Sequence, residues 1–393
     1  MKRVTQSDIA KALGISQVTV GLVVGNGKSP LRNRLAPETV SKIQEKAREL
    51  GYVPDRAAQI MRNGRTNLIV LLNFSGYSEL ASQRVYHIGR LANEAGFDFQ
   101  VIDVYWWASS AQRIVDQISG LRPQGLIIVG AVQNDFGVKH IEALQQKGIA
   151  MVAIGTQIRG GMAGVPLVRY DARLAMATFT RWCLENGSQR PVLVMPYHDG
   201  LSGWQARERL AGYQAAFLEM TGHPPAEHTG LEEPPLRPVK GVAGVVLTAP
   251  KRRNAFKPFQ LGVIAMKSFL NWSRLPDALI CVNDDFAIGV LSVCSRHGIA
   301  VPGQLMVTGF DNIAYAAQGS VTLTSAEHPT AEMCELAFEL LKERLGKTPA
   351  SDEREAEHLL PCRIVWREST GHSFDPEEGC DPTPAARDAA ASG

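Results

Sequence analysis

From residue 67 onward, short runs of β-branched and aliphatic residues alternate with helical stretches, and the alternation occurs twice. Leu68–Asn73, Phe99–Val104, Leu126–Val129 and Met151–Ile154 form one series of predicted strands. Val192–Met195, Val242–Leu247, Leu279–Val282 and Met306–Thr308 form a second. Between them lie helical stretches such as Gln83–Ala95, Ile141–Lys147, Leu174–Glu185, Arg207–Met220 and Ala287–His297. A strand that returns parallel to its predecessor needs a crossover helix, so this order gives doubly wound parallel sheets, and two series give two α/β lobes. Ligands of such sheets sit at the carboxyl ends of the strands. Two lobes facing each other leave a closable cleft suited to a small polar ligand.

The first 66 residues read differently. They hold twelve Lys or Arg against five Asp or Glu, while the rest of the chain holds 29 basic and 34 acidic residues. A basic head on a mildly acidic body suits a polyanion partner for the head alone. Thr5-Gln6-Ser7-Asp8 reads as an N-cap with an acid three residues on, opening a helix through Leu13. Gly14 stops it, Ile15 supplies an apolar plug, and Ser16 caps a second helix from Gln17 to about Val24. Ile9, Leu13, Ile15, Val20 and Val23 fit an inner face, leaving Gln17, Val18, Gly21 and Leu22 outside. A third helix starts at Ala36-Pro37-Glu38-Thr39, carries Val40, Ile43, Ala47 and Leu50 at helical spacing, and ends at Gly51-Tyr52-Val53-Pro54. Two helices joined by a glycine turn in a basic segment form the unit that lays its second helix in the major groove. The same local pattern also fits a plain αα-hairpin.

The run Val4-Thr5-Gln6-Ser7-Asp8-Ile9-Ala10, Gly14-Ile15-Ser16, Thr19-Val20 and Gly51-Tyr52-Val53-Pro54 resembles, in order, the DNA-binding head of the lactose-repressor (LacI/GalR) family. The resemblance continues through Arg209-Leu210-Ala211-Gly212-Tyr213, Asn283-Asp284-Asp285-Phe286-Ala287-Ile288-Gly289, Gly298-Ile299-Ala300-Val301-Pro302, Val307-Thr308-Gly309-Phe310-Asp311-Asn312 and Val365-Trp366-Arg367-Glu368-Ser369-Thr370. It implies an all-α helix-turn-helix head followed by two doubly wound parallel α/β lobes of the type I periplasmic-binding-protein kind. The implied divisions are a DNA-binding domain at 1–53, a hinge helix and linker at 54–66, an effector-binding and dimerisation body at 67–370, and a disordered tail at 371–393. The tail is rich in Pro, Ala, Asp and Gly and has no leucine, which some relatives use to build tetramers, so a homodimer is expected.

The residues that the resemblance brings to DNA are Thr5, Ser16, Gln17, Val18, Thr19 and Leu22 in the first two helices and their caps. Arg32 and Arg34 follow in the loop, then Tyr52, and Arg56, Ala58 and Met61 in the hinge. Met61 falls where the family inserts an apolar wedge into the minor groove, a device that unstacks one base step and bends the duplex; as an isolated residue it also fits an ordinary linker. Two departures stand out. The family's usual Thr-Val-Ser-Arg is here Thr19-Val20-Gly21-Leu22, which leaves Gln17 as the clearest hydrogen-bonding base reader and Val18 and Leu22 for thymine methyls. The stretch Gly25–Arg34 is longer than usual. The operator is therefore expected to differ from the family's common one and to lean on DNA shape.

For the effector the resemblance implies Arg209, Asn283, Asp284 and Asp311, with Ser75 and Tyr77 after the first strand. Carboxylates accept paired hydroxyl hydrogen bonds and a guanidinium donates several in a fixed fork, which suits a sugar or sugar derivative. Local roles fit the same residues: Asn283 or Asp284 as a helix cap, Arg209 as a solvent-facing charge, Asp311 as a turn residue. Asp171 is a weaker candidate near the cleft. Tyr105-Trp106-Trp107 could stack on a sugar or belong to the lobe core or a dimer surface.

At 393 residues the chain exceeds one ordinary core, and 45% hydrophobic with 20% charged residues is the balance of a globular protein. No apolar run is long enough to span a bilayer, and the N-terminus lacks the apolar core of a signal peptide, so a cytoplasmic protein without membrane contact is expected. The six cysteines show no C-x-x-C pair, which argues for reduced thiols and against a zinc site. No G-x-S-x-G, H-E-x-x-H, P-loop or dinucleotide glycine motif is present, so neither an enzyme nor a cofactor is expected. A transport solute-binding protein shares the two-lobed body but would carry a secretion signal in place of the basic head. A near-palindromic DNA operator and a carbohydrate effector, acting through repression, are the expected partners and output; the alternatives are a sugar-sensing solute-binding protein without strong groove readout, an activator, or a corepressor-dependent regulator.

Overall fold

The computed structural model describes residues 4–24, 35–53, 66–76, 78–104, 110–130, 132, 135–156, 161, 164–195, 203–234, 241–248, 257–346 and 357–372. The head consists of α1 (Gln6–Leu13), α2 (Gln17–Val24) and α3 (Pro37–Glu49). Its helix ends follow local chemistry. The Thr5 hydroxyl accepts the Asp8 N–H at 3.4 Å while the Asp8 carboxylate accepts the Thr5 N–H at 2.8 Å, the reciprocal cap of the sequence pattern. Gly14 closes α1 in the left-handed conformation at φ 66°, and Ser16 Oγ accepts the Thr19 N–H at 3.0 Å to start α2. Ile9, Ala10, Val20, Val23, Ile43 and Ala47 form the head's core, with Leu13, Ile15 and Tyr52 packed around it.

The first lobe is a six-stranded sheet in the order β2-β1-β3-β4-β5-β12. Its strands are β1 (Leu68–Asn73), β2 (Asp98–Asp103), β3 (Gly125–Val129), β4 (Ala150–Ile154), β5 (Leu167–Asp171) and β12 (Glu357–Pro361). The second is seven-stranded, β7-β8-β6-β9-β10-β11-β13. It contains β6 (Pro191–Met195), β7 (Ala226–Thr229), β8 (Val245–Thr248), β9 (Ala278–Cys281), β10 (Met306–Asp311), β11 (Thr324–Glu327) and β13 (Arg363–Val365). All pairings are parallel except β11 with β13. In the first lobe β1 lies between β2 and β3, and in the second β6 lies between β8 and β9, so in each sheet the strand order reverses at the first strand and opens a crevice at the carboxyl ends.

Helices α4 (Glu79–Glu94), α5 (Ala111–Leu121) and α6 (Val138–Gln145) cover the first sheet, and α7 (Ala172–Glu185), α8 (Trp204–Thr221), α9 (Pro258–Phe269) and α10 (Asp284–His297) the second. The central strands are buried on both faces: in β1, Leu68, Val70 and Leu72 point into one core and Ile69 and Leu71 into another. The second core runs on into the second lobe through Phe179, Tyr213, Ile280 and Phe310. It does so because the chain passes between lobes at Asp171–Ala172, where β5 feeds α7. It returns at His328–Pro329, where β11 feeds α11 (Thr330–Arg344) on the first sheet, and passes again at Cys362 between β12 and β13.

The predicted strand at Val242–Leu247 begins later, at Val245. Strands β5, β7, β11, β12 and β13 lie outside the two predicted series. The outer ones lack an apolar run because an edge is half solvated: β7 reads Ala-Glu-His-Thr and β12 Glu-His-Leu-Leu-Pro. The body continues past the predicted boundary at Thr370, since the His372 ring lies 5.0 Å from that of Trp366 and 4.8 Å from that of Trp182. Residues 373–393, like Tyr105-Trp106-Trp107, lie outside the described residues. Among the described residues no single helix is long and apolar enough to cross a membrane.

Candidate effector site and nucleic-acid interface

The predicted effector residues divide into two groups. Arg209 and Asp311 come together between the lobes; Asp284 does not join them. Arg209 sits on α8, and the motif around it explains its aim. A Cβ on Gly212 would stand 2.2 Å from the Arg173 carbonyl oxygen, so glycine is needed for α8 to cross α7 this closely. The next residue, Tyr213, donates its hydroxyl to the Pro191 carbonyl at 2.8 Å. With the helix pinned there, the Arg209 side chain is only 12% exposed, which excludes the solvent-facing alternative. Its guanidinium lies over the Phe310 ring at 4.1 Å, 3.6 Å from Asp311 Oδ1 and 3.4 Å from the Tyr170 hydroxyl.

Asp311 ends β10 at φ 109°, and Asn312 follows at φ 48°. Two successive non-glycine residues in the left-handed region are strained, and such strain persists only where the surroundings over-determine it. Here they do. Asn312 Oδ1 accepts from Arg367 Nη2 at 2.8 Å and its backbone N–H donates to Ser325 Oγ at 3.0 Å. Ser325 in turn donates to Asp284 Oδ1 at 2.6 Å, and the Ile313 N–H donates to Asp284 Oδ2 at 2.9 Å. Asp284 is fully buried, with both oxygens turned into the fold.

Asp284 is therefore not placed to touch an effector; it holds the turn that aims Asp311. Gly309 makes this possible, because a Cβ there would lie 2.0 Å from Asp284 Oδ1. Burial above all, then the charge of Asp311, pushes the Asp284 carboxyl up to about 8.

Asn283 caps α10, accepting the Phe286 N–H at 2.9 Å through Oδ1, as the local reading of that residue anticipated. Asp285 beside it is exposed, and its carboxyl is raised by partial burial and by Asp311, which marks it as a neighbour of the same space. In the first lobe, Asn73 donates to Asp103 at 2.7 Å and accepts the Ser75 N–H at 3.0 Å, and Phe74 packs on Phe136 at 5.7 Å. Most of the segment after β1 thus serves its own lobe. Ser75 is half-buried beneath Gly130, and Tyr77 lies outside the described residues. Asp171 caps α7 through the Leu174 N–H at 2.8 Å.

Residues without a motif complete the space. Trp204, at the start of α8, donates its indole N–H to the Gly155 carbonyl of the first lobe at 3.4 Å, and Gln205 reaches the same oxygen at 3.5 Å. Tyr170 and His328, at the crossovers, have ring centroids 3.8 Å apart. His328 Nε2 meets Asp311 Oδ1 at 2.9 Å, and since a carboxylate only accepts, that nitrogen carries the proton. Burial lowers the His328 pKa, so the ring is neutral there. Toward one end of the cleft, Glu79 of the first lobe accepts the Ala314 N–H of the second at 3.1–3.2 Å.

In the head, Gln17 and Val18 are exposed, Val18 at 74%, and Leu22 is half-buried. These are the side chains that α2 offers to a groove. Thr5 and Ser16 serve as caps, Thr19 shares a 2.8 Å hydrogen bond with Ser16, and Tyr52 packs against the head core. A Cβ on Gly21 would come 3.3 Å from the mobile end of Gln6, so packing alone does not demand glycine. Arg32, Arg34, Arg56, Ala58 and Met61 lie outside the described residues.

Comparison with known proteins agrees with this geometry. Residues 180–370 match the periplasmic binding protein-like domain, and residues 82–229 match the domain of periplasmic binding proteins and the sugar-binding domain of the LacI family. The transcriptional regulator CelR of Thermobifida fusca is 24% identical over 353 residues, covering 88% of this chain and 94% of CelR. The ribose operon repressor of Escherichia coli (strain K12) is 22% identical over 351 residues, covering 89% and 96%. The repressor PurR of Erwinia tasmaniensis is 24% identical over 365 residues, covering 92% and 96%. The chain belongs to the LacI family of transcriptional regulators. Its fold is that of the Lac repressor dimer bound to operator and the anti-inducer ONPF, with a TM-score of 0.69, 21% identity, and coverage of 94% of this chain and 99% of that one. The CelR–cellobiose complex follows with a TM-score of 0.59 and 23% identity, covering 93% and 100%.

Proposed function

We propose that this LacI-family regulator is a homodimeric repressor that binds a near-palindromic operator and is controlled by a small polar ligand, a sugar or sugar derivative, held between its lobes. The observation that carries the reading is the pairing of a capped helix-turn-helix head with a body whose crossovers surround Arg209, Asp311, Tyr170 and His328. In this reading residues 1–53 bind DNA, 54–66 form the hinge, and the rest senses the ligand and dimerises. Gln17, Val18 and Leu22 meet base edges; Arg32, Arg34 and Arg56 meet phosphates; Met61 enters the minor groove. Arg209, Asp311, Asn283 and Asp285 address the ligand from the second lobe and Ser75 from the first.

Ligand binding favours one arrangement of the lobes, and its effect on DNA equals its differential affinity for the two arrangements. A relative bound to cellobiose and relatives named for ribose support a sugar-sized ligand. A site of action at the chromosome places the protein in the cytoplasm.

The test is selection of bound fragments from a random DNA library by the purified protein at stated salt. Enrichment of an inverted repeat with a deformable central step supports the reading. Absence of any enrichment, with and without sugars, contradicts it.

A further inference from the structure

We propose that the ligand held between the lobes carries an acid group, a carboxylate or phosphate, and that Arg84 receives it. The proposal rests on the reading of the cleft as the effector site. Helix α4 buries one stripe, Ala81, Arg84, Ile88 and Ala92, at helical spacing. Three of these are apolar and meet the lobe's interior; the fourth is an arginine, 6% exposed. Its Nε is buried without a partner, and the guanidinium has no hydrogen bond or ion pair to any described residue. An arginine cannot relieve that cost by losing its proton, so a buried guanidinium calls for an anion.

Position ties Arg84 to the cleft. Its Nη2 lies 3.8 Å from where a Cβ on Gly155 would stand, at the carboxyl end of β4, and the Gly155 carbonyl is the one that Trp204 of the other lobe reaches. The next residue, Thr156, is fully buried with its hydroxyl also unpartnered. Two orphaned donors therefore stand together at the strand end where this fold places ligands.

The described acids around the cleft are committed elsewhere. Asp311 receives His328 and Arg209, Asp284 holds the Ile313 turn, Glu79 accepts from Ala314, and Asp285 lies exposed at the second lobe. His328 is neutral and Tyr170 is a phenol whose burial pushes it up to about 12, so neither supplies an anion. Among the described residues the cleft is left with the Arg84 and Arg209 guanidinium groups and one carboxylate at ion-pair distance, that of Asp311 from Arg209. An acid sugar would balance it, its acid group on Arg84 and Thr156 and its hydroxyls on the second lobe. A neutral sugar would leave Arg84 without an anion among the described residues even when bound.

The test uses the full chain and a fixed panel at constant ionic strength: D-gluconate, D-galacturonate and D-glucose 6-phosphate against D-glucose, D-galactose and D-ribose. Binding is read by calorimetry and by thermal melting, on wild type, Arg84→Met and Arg209→Met. The expected result is at least one acid bound tenfold or more tighter than its neutral counterpart. Arg84→Met should erase that gap while leaving neutral-sugar binding within threefold. The ligand-free Arg84→Met protein should melt no lower than wild type, because an unpaired buried cation has been replaced by an apolar chain of similar length. Preference for gluconate over glucose 6-phosphate identifies a carboxylate, and the reverse a phosphate.

Neutral sugars binding as tightly as acids, with Arg209→Met abolishing both, would overturn the acid-group proposal and leave the cleft reading standing. A ligand-free Arg84→Met protein melting several degrees below wild type would also overturn it, by making Arg84 a structural residue. Binding that neither Arg84→Met nor Arg209→Met alters would overturn the cleft reading as well.

Discussion

In the first lobe, the end of β1 and the residue after it are consumed by the lobe itself: Asn73 binds Asp103 and Phe74 packs on Phe136. In the second lobe, β10 runs into a strained turn, Asp311-Asn312, braced by Arg367, Ser325 and Asp284 so that the Asp311 carboxylate stands at the cleft. Both sheets reverse strand order at their first strand, so topology alone gives both the same crevice. Equal topology has not produced equal chemistry. The second lobe supplies an oriented polar set on a rigid frame, whereas the first supplies a cation and a hydroxyl without partners among the described residues, and the Gly155 carbonyl.

The largest effect that separates the lobes should come from glycine. In Gly309→Ala the new methyl meets Asp284 Oδ1, which cannot move without releasing the Asp311 turn, and a loss of about 3 kcal/mol is expected in chemical denaturation. In the first lobe, Gly125→Ala meets only the side-chain ends of Ile69 and Leu341 at 2.9 Å, and about 1 kcal/mol is expected. Equal losses would mean that the second lobe's frame is no more rigid than the first's.

Next in size is Arg209→Met, which should weaken the tightest ligand of the panel by about 2 kcal/mol or more, since it removes one member of a buried charged pair. Calorimetry reads this directly.

A smaller effect is a pH dependence confined to the second lobe. Burial lifts the Asp284 carboxyl from 3.8 to about 8, so the folded protein keeps a proton that the unfolded chain has given up. The stability from this group is complete below about pH 4 and is lost as pH rises toward 8. Asp284→Asn can still accept the Ile313 N–H and meet Ser325, but it has no proton to lose. Wild type should therefore lose stability relative to the variant as pH rises between these values. Parallel stability curves would refute the burial of a protonated acid. The smallest effect is expected from Glu79→Ala, which removes the hydrogen bonds across the cleft to Ala314. Ligand release in stopped flow should quicken by only a few fold, since a solvent-exposed hydrogen bond contributes about 1 kcal/mol or less.

What the sequence revealed follows the range of the interactions. Thr5, Asp8, Gly14 and Ser16 act within one turn of chain, and their caps stand as their order predicts. The alternation of strands and helices is also a local signal, and the central strands follow it because burial on both faces demands continuous apolar runs. The edge strands β7 and β12 escaped because solvent on one side dilutes that run, and the internal β5 and β11 because polar residues interrupt it: Leu-Val-Arg-Tyr-Asp and Thr-Ser-Ala-Glu. The cleft was legible only in part. Arg209 and Asp311 were found through motifs, but the same motif suggested Asp284 as a ligand contact. Its inward turn depends on Gly309 and Ser325, which lie far along the chain. Trp204, Tyr170 and His328 meet only through the crossovers. Arg84 did leave a signal, a lone cation in an apolar helical stripe, which is informative because buried charges are rare.

The account's central claim is that occupancy of the interlobe site sets operator affinity. It is tested most directly by fluorescence anisotropy of the selected operator at fixed salt, with wild type and Asp311→Ala, each with and without the tightest ligand of the panel. The account predicts at least a fivefold change in wild-type operator affinity on adding ligand, no change in Asp311→Ala, and ligand-free affinities of the two proteins within about threefold. A ligand response of full size in Asp311→Ala would contradict it.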